Sequence, residues 1–302
     1  MVQLLRGQID LVTTAVLGVA FWLFARGRRE SLAGGLVGVA ALIKFHAGLV
    51  FPFLLIRRKW RAAAGFLVAA GAIALLNVVA AGPANVRNYL AELPRISQYG
   101  GDGPPASVLP PEQQALLAPL FPQGGGVIKD GFLFRNGGFE FVTNASFVEL
   151  ICCGAGFHLP RPVASLAVLG FFTAGFLLLC WRGYATPISD RDEYVFWFAV
   201  TTVALLAGPT TWAMNVVWLL PGFAILVYLW RGAGGDDGLQ WATFIFATGL
   251  LWVAMPDHRA FPALFPQALV RLSIYKYPLG ELLLILGSFV FLRRRRLQSA
   301  GR

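Results

Sequence analysis

Charged residues are scarce in this 302-residue chain. They make up 13% of the sequence, whereas hydrophobic residues make up 57% and the mean hydropathy is +0.65. A soluble domain usually carries about a quarter charged residues, and a soluble chain of this length would divide into about two domains with polar linkers. The composition excludes an ordinary soluble protein. It predicts an all-α fold, a polytopic membrane protein whose single membrane domain spans 1–302 with about eight or nine transmembrane or re-entrant helices.

The sequence also lacks the motifs of familiar soluble enzymes. It contains no HExxH zinc motif, no GxSxG nucleophile motif and no phosphate loop ending in Gly-Lys-Ser/Thr. Its three cysteines form no CxxC pair, and its three histidines, His46, His158 and His258, lie far apart along the chain. The sequence therefore gives no reason to invoke a metal or any other cofactor. The glycine-rich phrase "GGLVGVA" predicts a small-residue packing surface and not a nucleotide cradle.

Basic residues outnumber acidic ones, 25 to 15, which gives a net charge of +10. In a soluble protein this excess would suggest nucleic acid, but here the arginines fall mostly at the ends of apolar runs, and we predict no nucleic-acid partner. The basic clusters can all lie on one face of the membrane, which the positive-inside rule makes cytoplasmic. The opposite, external face then receives a long loop at 83–161, and residues 293–302 form a cytoplasmic basic tail.

The apolar runs are long enough to cross about 30 Å of hydrocarbon, which needs about 20 residues. They predict spans at 8–25, 62–82, 162–181, 193–209, 213–230, 238–255 and 276–292. The remaining run, 32–56, has basic clusters at both ends, and about 25 residues cannot cross twice. A broken re-entrant hairpin, with helices at 32–43 and 48–56, would place both ends on the cytoplasmic face. A single tilted span with one basic cluster misplaced is the alternative.

Either arrangement leaves Lys44 as a cation inside the membrane, which by default indicates a functional site. Other polar side chains share its external half of the membrane. Gln8 and Asp10 open the first span, and Glu281 lies one turn into the last. Each alone is typical of an interhelical hydrogen bond. Together with Lys44, and with Asn77 and Asn215, they can line one outward-facing cavity.

Four segments resemble glycosyltransferase family 87. They are "GQIDLV" (Gly7 to Val12), "GLVGVAALIKFHAGLVFPFLLIRRKWRAA" (Gly35 to Ala63), "NASFVELI" (Asn144 to Ile151) and "GPTTWAMNVVWLLP" (Gly208 to Pro221). The resemblance runs from Gly7 to about Leu229. The family is similar to the multi-span C-type glycosyltransferases and includes actinobacterial mannosyltransferases that use polyprenyl-phosphate mannose.

The resemblance implies a multi-pass enzyme of the bacterial inner membrane. It would move a hexose, mannose in particular, from a polyprenyl-phosphate donor to a lipid or glycan acceptor on the external face. Its partners would be membrane lipids, the lipid-linked donor and the acceptor. Lys44 would hold the donor phosphate, since a lipid-linked donor needs a cation near membrane depth. The other expected substrate contacts are His46, Gln8, Asn144, Trp212, Asn215 and Arg259.

Two family features are missing. Relatives carry several spans and an aspartate-bearing external loop before the GQ motif, and many have a histidine where this chain has "WAMN" (Trp212 to Asn215). We expect an amino-terminally truncated product, in which Asp10 and Glu281 are the remaining candidates for the catalytic base. A lipid-linked glycan transporter or flippase, and an inactive membrane subunit, are the alternative functions.

Overall fold

The structure is a computed structural model that describes residues 2–27, 29–88, 126–129, 132–135, 147, 161–181, 189–208, 217–255 and 276–300. These residues are helical apart from turns and one two-stranded hairpin, so the expected all-α character holds for most of them. One helix among them, Trp60–Ala81, is long and apolar enough to cross a membrane by length and composition. The predicted number of spans therefore remains a prediction.

Nine α-helices have defined bounds among the described residues, and residues 83–88 are also helical. The nine are α1 (Val2–Ala25), α2 (Glu30–Ile43), α3 (Phe51–Ile56), α4 (Trp60–Ala81), α5 (Arg161–Trp181), α6 (Asp190–Ala207), α7 (Pro221–Ala233), α8 (Asp237–Ala254) and α9 (Lys276–Ala300). All seven predicted spans coincide with helices. The run predicted at 213–230 differs most, because α7 begins only at Pro221, a residue favoured in the first helical turn.

The hairpin lies inside the predicted external loop. Strand β1 (Gly126–Lys129) pairs antiparallel with β2 (Phe132–Arg135), so that Gly126 faces Arg135. This short sheet was not predicted from the sequence and departs from a purely helical fold.

The predicted break in the 32–56 run is confirmed. Helix α2 ends at Ile43, Lys44 is extended (φ −141°, ψ 110°), and residues 45–50 form a 3₁₀ helix before α3. The chain then returns to its starting level, because the Lys59 ammonium lies 3.2 Å from the Glu30 carboxylate. The second helix begins at Phe51 instead of 48 because the intervening turn is wound as 3₁₀.

Close backbone packing holds the broken hairpin against α4. Gly34 and Gly38 stand one turn apart on α2, and a Cβ added at Gly38 would lie 2.6 Å from the carbonyl oxygen of Phe66. A Cβ at Gly34 would overlap the carbonyl oxygen of Ala62, and one at Gly65 would overlap that of Ser31. This is the small-residue contact by which membrane helices approach closely, and it confirms the packing role predicted for the glycine-rich phrase.

Helix α6 lies at the centre of the described bundle. All its residues from Val195 to Ala207 are buried, and the neighbouring helices α1, α5, α7 and α9 contact it. A helix that is apolar and buried on every side is typical of a bundle interior. Helix α4 is the opposite case, since most of its surface is exposed.

Ion pairs tie several helix ends together at one end of the bundle. The Glu193 carboxylate lies 2.5 Å from Arg57 and 3.5 Å from Lys59, and it accepts a hydrogen bond of 3.1 Å from the indole of Trp197. These charges are largely buried, with 7% exposure for Glu193 and 11% for Arg57. The end of α3 and the starts of α4 and α6 therefore share one side, as the basic-cluster argument predicts.

Asp236 links the tail of α9 to the start of α8. Its Oδ1 accepts the Leu239 backbone N–H at 2.9 Å, which caps α8, and both carboxylate oxygens lie 3.1 Å from Arg294 Nε. Gln298 adds a hydrogen bond of 2.9 Å. The hydrogen bond from Arg294, then that from the Leu239 backbone, holds the pKa of Asp236 below its usual value.

We expect Gly34→Ala to destabilise the protein. Alanine favours a helix over glycine by about 1 kcal/mol, but its methyl group must push α2 away from Ala62, and such overpacking costs about 1 to 3 kcal/mol or more. Thermal unfolding in detergent micelles should show a lower Tm. Gly71→Ala on α4 is the matched control, because nothing lies within 4 Å of its added Cβ. A Tm for Gly34→Ala at or above that of the control would contradict this packing.

We expect Asp236→Asn to lower the Tm at neutral pH. Because the folded-state pKa is depressed, the carboxylate stabilises the fold above the unfolded pKa of about 3.9, and this contribution is lost as the pH falls through the lower folded value. The Tm difference between wild type and variant should be constant from pH 7 to about 5 and shrink below about 4. Asp237→Asn, at an exposed neighbouring position, serves as the control. A pH-independent difference would show that the charge of Asp236 contributes nothing.

Candidate active site

Lys44 occupies the break between α2 and the 3₁₀ helix. Its backbone N–H still donates to Ala40 at 2.8 Å, and its carbonyl accepts from Ala47 at 2.9 Å. The extended conformation between these two bonds turns the side chain out of the α2 helical path. The ammonium lies 3.3 Å from Asp10 Oδ1, with 24% of the Lys44 side chain exposed and none of Asp10. The structure thus joins a predicted substrate contact with a predicted base.

Asp10 belongs to α1, which packs against both α2 and α6. The next turn carries Thr14, whose hydroxyl donates to the Asp10 carbonyl at 2.8 Å, and the neighbouring Thr13 is also fully buried. A carboxylate removed from water is costly unless a cation compensates its charge. Lys44 supplies that cation, so each residue compensates the charge of the other. The ion pair also holds the part of α1 around Asp10 next to the break at Lys44.

His46 lies two residues beyond Lys44, with 3% of its surface exposed. Its ring stacks on Phe45 at a centroid distance of 4.0 Å and meets the edge of Trp218 at 6.4 Å. Trp218 lies in a short 3₁₀ turn just before α7 and is 2% exposed. His46 therefore borders the Lys44 site through aromatic packing, and its role as a substrate contact stays a prediction.

Trp218 is the residue that sequence reasoning missed. It belongs to "GPTTWAMNVVWLLP", the same family-like segment from which Trp212 was selected. Trp218 is close enough to Asp10 for the two side chains to interact, and it also contacts His46. The sequence did contain a signal for Trp218. Pro221 marks the start of α7, and Trp218, the second tryptophan of the segment, is closer to that start than Trp212.

A small cavity of about 80 Å³ lies beside Trp218, between α1, α6 and α7. Its walls are mostly apolar and include Leu17, Phe21, Phe198 and Ile225, with Thr14 and Thr201 as polar members. Thr14 is one turn from Asp10, so the cavity begins next to the ion pair and continues along α1 toward the basic end of the bundle.

Glu281 on α9 is fully buried. Neither carboxylate oxygen has a hydrogen-bond partner among the described residues, and no described cation forms an ion pair with it. An uncompensated carboxylate in an apolar interior is destabilising, so this glutamate is not explained by packing. Lys44 forms its ion pair with Asp10 and not with Glu281.

The other predicted site residues are placed only in part. Gln8 lies on α1, in the helical turn that contains Asp10. Asn77 is exposed on α4. Asn144, Trp212, Asn215 and Arg259 lie outside the described residues, and their roles remain predictions. Within the part of the chain that the structure describes, no three His, Cys, Asp or Glu residues group closely enough to hold a metal ion.

We expect Asp10→Leu to destabilise the protein by about 3 kcal/mol, because removing one member of a buried ion pair leaves the other without its counter-charge. The double variant Asp10→Leu/Lys44→Met should recover most of that loss, since replacing both charges by apolar groups of similar size is often neutral. A double-mutant cycle of unfolding free energies measures the coupling. Additive effects of Asp10→Leu and Lys44→Met would show that the two residues do not stabilise one another.

Comparison with known proteins supports the family resemblance over part of the chain. A model of glycosyltransferase family 87 matches residues 1–119, which contain α1 to α4 and the Asp10–Lys44 pair. The two later family-like segments lie beyond the matched residues. No curated protein and no solved structure matches the chain. Over residues 1–119, less than half of its length, the chain is similar to glycosyltransferase family 87, as its motifs suggested.

Proposed function

We propose that this protein transfers a hexose, mannose in particular, from a polyprenyl-phosphate donor to a lipid or glycan acceptor on the external face of the bacterial inner membrane, as a multi-pass enzyme. The observation that carries the proposal is the Asp10–Lys44 ion pair at the break of the hairpin. It lies within the segment that matches the glycosyltransferase family, and an ionisable pair inside an apolar bundle favours a functional site.

Lys44 is suited to bind the donor phosphate. A lipid-linked sugar keeps its tail in the bilayer and its phosphate near the interface, so its binding site needs a cation close to apolar surfaces. The Lys44 side chain is one-quarter exposed and is held by a fully buried partner. The partly exposed Lys44 side chain is therefore able to contact a phosphate oxygen while Asp10 fixes its position.

The transfer requires one bond to form and one to break. The acceptor hydroxyl gives its proton to a carboxylate base, its oxygen attacks the anomeric carbon, and the bond between that carbon and the phosphate oxygen breaks. The electron pair leaves with polyprenyl phosphate, whose negative charge grows. A fixed ammonium stabilises this growing charge more than it stabilises the bound donor, which is the condition for accelerating the chemical step.

The two buried carboxylates receive different roles in this proposal. Asp10 already faces the Lys44 ammonium, so we assign it as a positioning residue that orients the cation. Glu281 is fully buried and has no described counter-ion, so its carboxylate is not already paired with a cation as that of Asp10 is. We therefore assign Glu281 as the base. His46, Gln8, Asn144, Trp212, Asn215 and Arg259 remain the predicted substrate contacts.

Donor turnover tests the proposal directly. Proteoliposomes that contain the purified full chain are given radiolabelled polyprenyl-phosphate mannose and a lipid acceptor extract, and labelled acceptor is measured. Lys44→Gln should lower kcat by about 100-fold or more, the usual effect of removing one fixed donor to a developing charge. Arg61→Gln, an exposed cation on α4, should leave transfer unchanged. Equal turnover by Lys44→Gln and wild type would remove Lys44 from the mechanism.

The same assay separates the two carboxylates. Glu281→Gln should lower kcat with little change in the donor KM, whereas Asp10→Asn should raise the donor KM as well, because it loosens the cation that binds the phosphate. Full activity of Glu281→Gln would reject its role as base. Movement of unmodified donor across the vesicle membrane, without any labelled acceptor, would favour a flippase instead.

A further inference from the structure

A larger groove, lined by both polar and apolar residues, lies at the opposite end of the bundle from Lys44. It has a volume of about 670 Å³, which is within the range of ligand-binding clefts. The start of α6, one face of α7 and the tail of α9 form its walls. The residues that line it include Ser189, Ala224, Val227, Tyr228, Arg231 and Arg295.

The mouth of this groove is positively charged. Arg231 is exposed, and no carboxylate among the described residues pairs with it. Arg295 Nε lies 3.8 Å from Asp192 Oδ1, and the same oxygen accepts the Tyr228 hydroxyl at 2.8 Å. Two arginines thus line the groove, and one described carboxylate, that of Asp192, pairs with one of them, which leaves an excess positive charge at the mouth. Arginine is well suited to bind phosphate because its planar group donates two parallel hydrogen bonds.

Below the cations the wall becomes apolar. Arg231, Val227 and Ala224 are spaced four and seven residues apart along α7, so they lie on one helix face. Arg231 stands in the last turn of α7, and the other two lie progressively further from that end. Val227 is 52% exposed. A cationic mouth above an exposed apolar stripe is complementary to an amphiphile with an anionic head.

We propose that this groove binds an anionic glycerophospholipid of the cytoplasmic leaflet. Its phosphate would lie between Arg231 and Arg295, and an acyl chain would cover Val227 and Ala224. Basic pockets between membrane helices on the cytoplasmic side bind anionic lipid headgroups in this manner. The lipid would bridge α7 and α9, and its binding is independent of the sugar-transfer proposal because no residue of the Lys44 site takes part.

Native mass spectrometry of the detergent-solubilised full chain tests this site, with phosphatidylglycerol and phosphatidylcholine as probes. Wild type should retain phosphatidylglycerol preferentially. Arg231→Gln should weaken its binding about fivefold, the effect of one basic residue near an anionic lipid surface, while phosphatidylcholine binding stays unchanged. Arg61→Gln removes an equal charge from an exposed position outside the groove and should not change lipid binding. Equal losses in the two variants would overturn the proposal, because they would indicate general surface charge.

Groove shape provides a second test that leaves the charge intact. Ala224→Trp fills the apolar wall and should reduce phosphatidylglycerol retention, whereas Ala72→Trp on the exposed face of α4 should not. Inorganic phosphate at millimolar concentration should fail to displace the lipid, because it makes no apolar contact. Displacement by phosphate, or full retention by Ala224→Trp, would overturn the lipid assignment. A Tm increase with phosphatidylglycerol that is smaller in Arg231→Gln would support it.

Discussion

An ammonium group at a helix break inside an apolar bundle requires a counter-charge, and in this protein Asp10 provides it. The 3.3 Å contact joins α1 to the tip of the broken hairpin. Without Lys44, a fully buried carboxylate would be uncompensated, and without Asp10 the cation would lose its orientation. Each residue thus compensates the charge of the other inside the bundle, and this pairing contributes to the position of Lys44.

Two further constraints place the hairpin tip. At the end of the helical hairpin opposite Lys44, Glu193 forms ion pairs with Arg57 and Lys59 in a largely buried cluster, and Lys59 also pairs with Glu30. Along the sides, Gly34, Gly38 and Gly65 bring α2 and α4 into backbone contact. The ion pairs fix where the helical hairpin begins and ends, and the glycine contacts fix how closely α2 packs against α4. Lys44 is consequently held at one depth, which the proposed binding of a lipid-linked phosphate requires.

The broken helical hairpin at 32–56 could be predicted from the sequence, because the prediction depends only on the number of residues between two basic clusters. Two basic clusters separated by about 25 residues leave too little chain for two crossings, and Lys44 stands in the middle of that run. Rotation about helix axes could not be predicted, so the sequence indicated that Asp10 and Lys44 share a half of the membrane but not that they touch. Trp218 was missed for the same reason, and a β-hairpin in a loop without strong alternation gave little signal.

The pairing of Lys44 with Asp10 also bears on how the proposed reaction would be accelerated. A donor phosphodiester carries one negative charge, and the released polyprenyl phosphate, a monoester, carries up to one more. At an effective dielectric constant of about 20, a unit charge 4 Å from a cation interacts by about 4 kcal/mol. An added half charge on the leaving phosphate would then gain on the order of 2 kcal/mol from Lys44. The ammonium therefore stabilises the transition state, in which the leaving phosphate carries more charge, by more than it stabilises the bound donor, and this difference lowers the barrier.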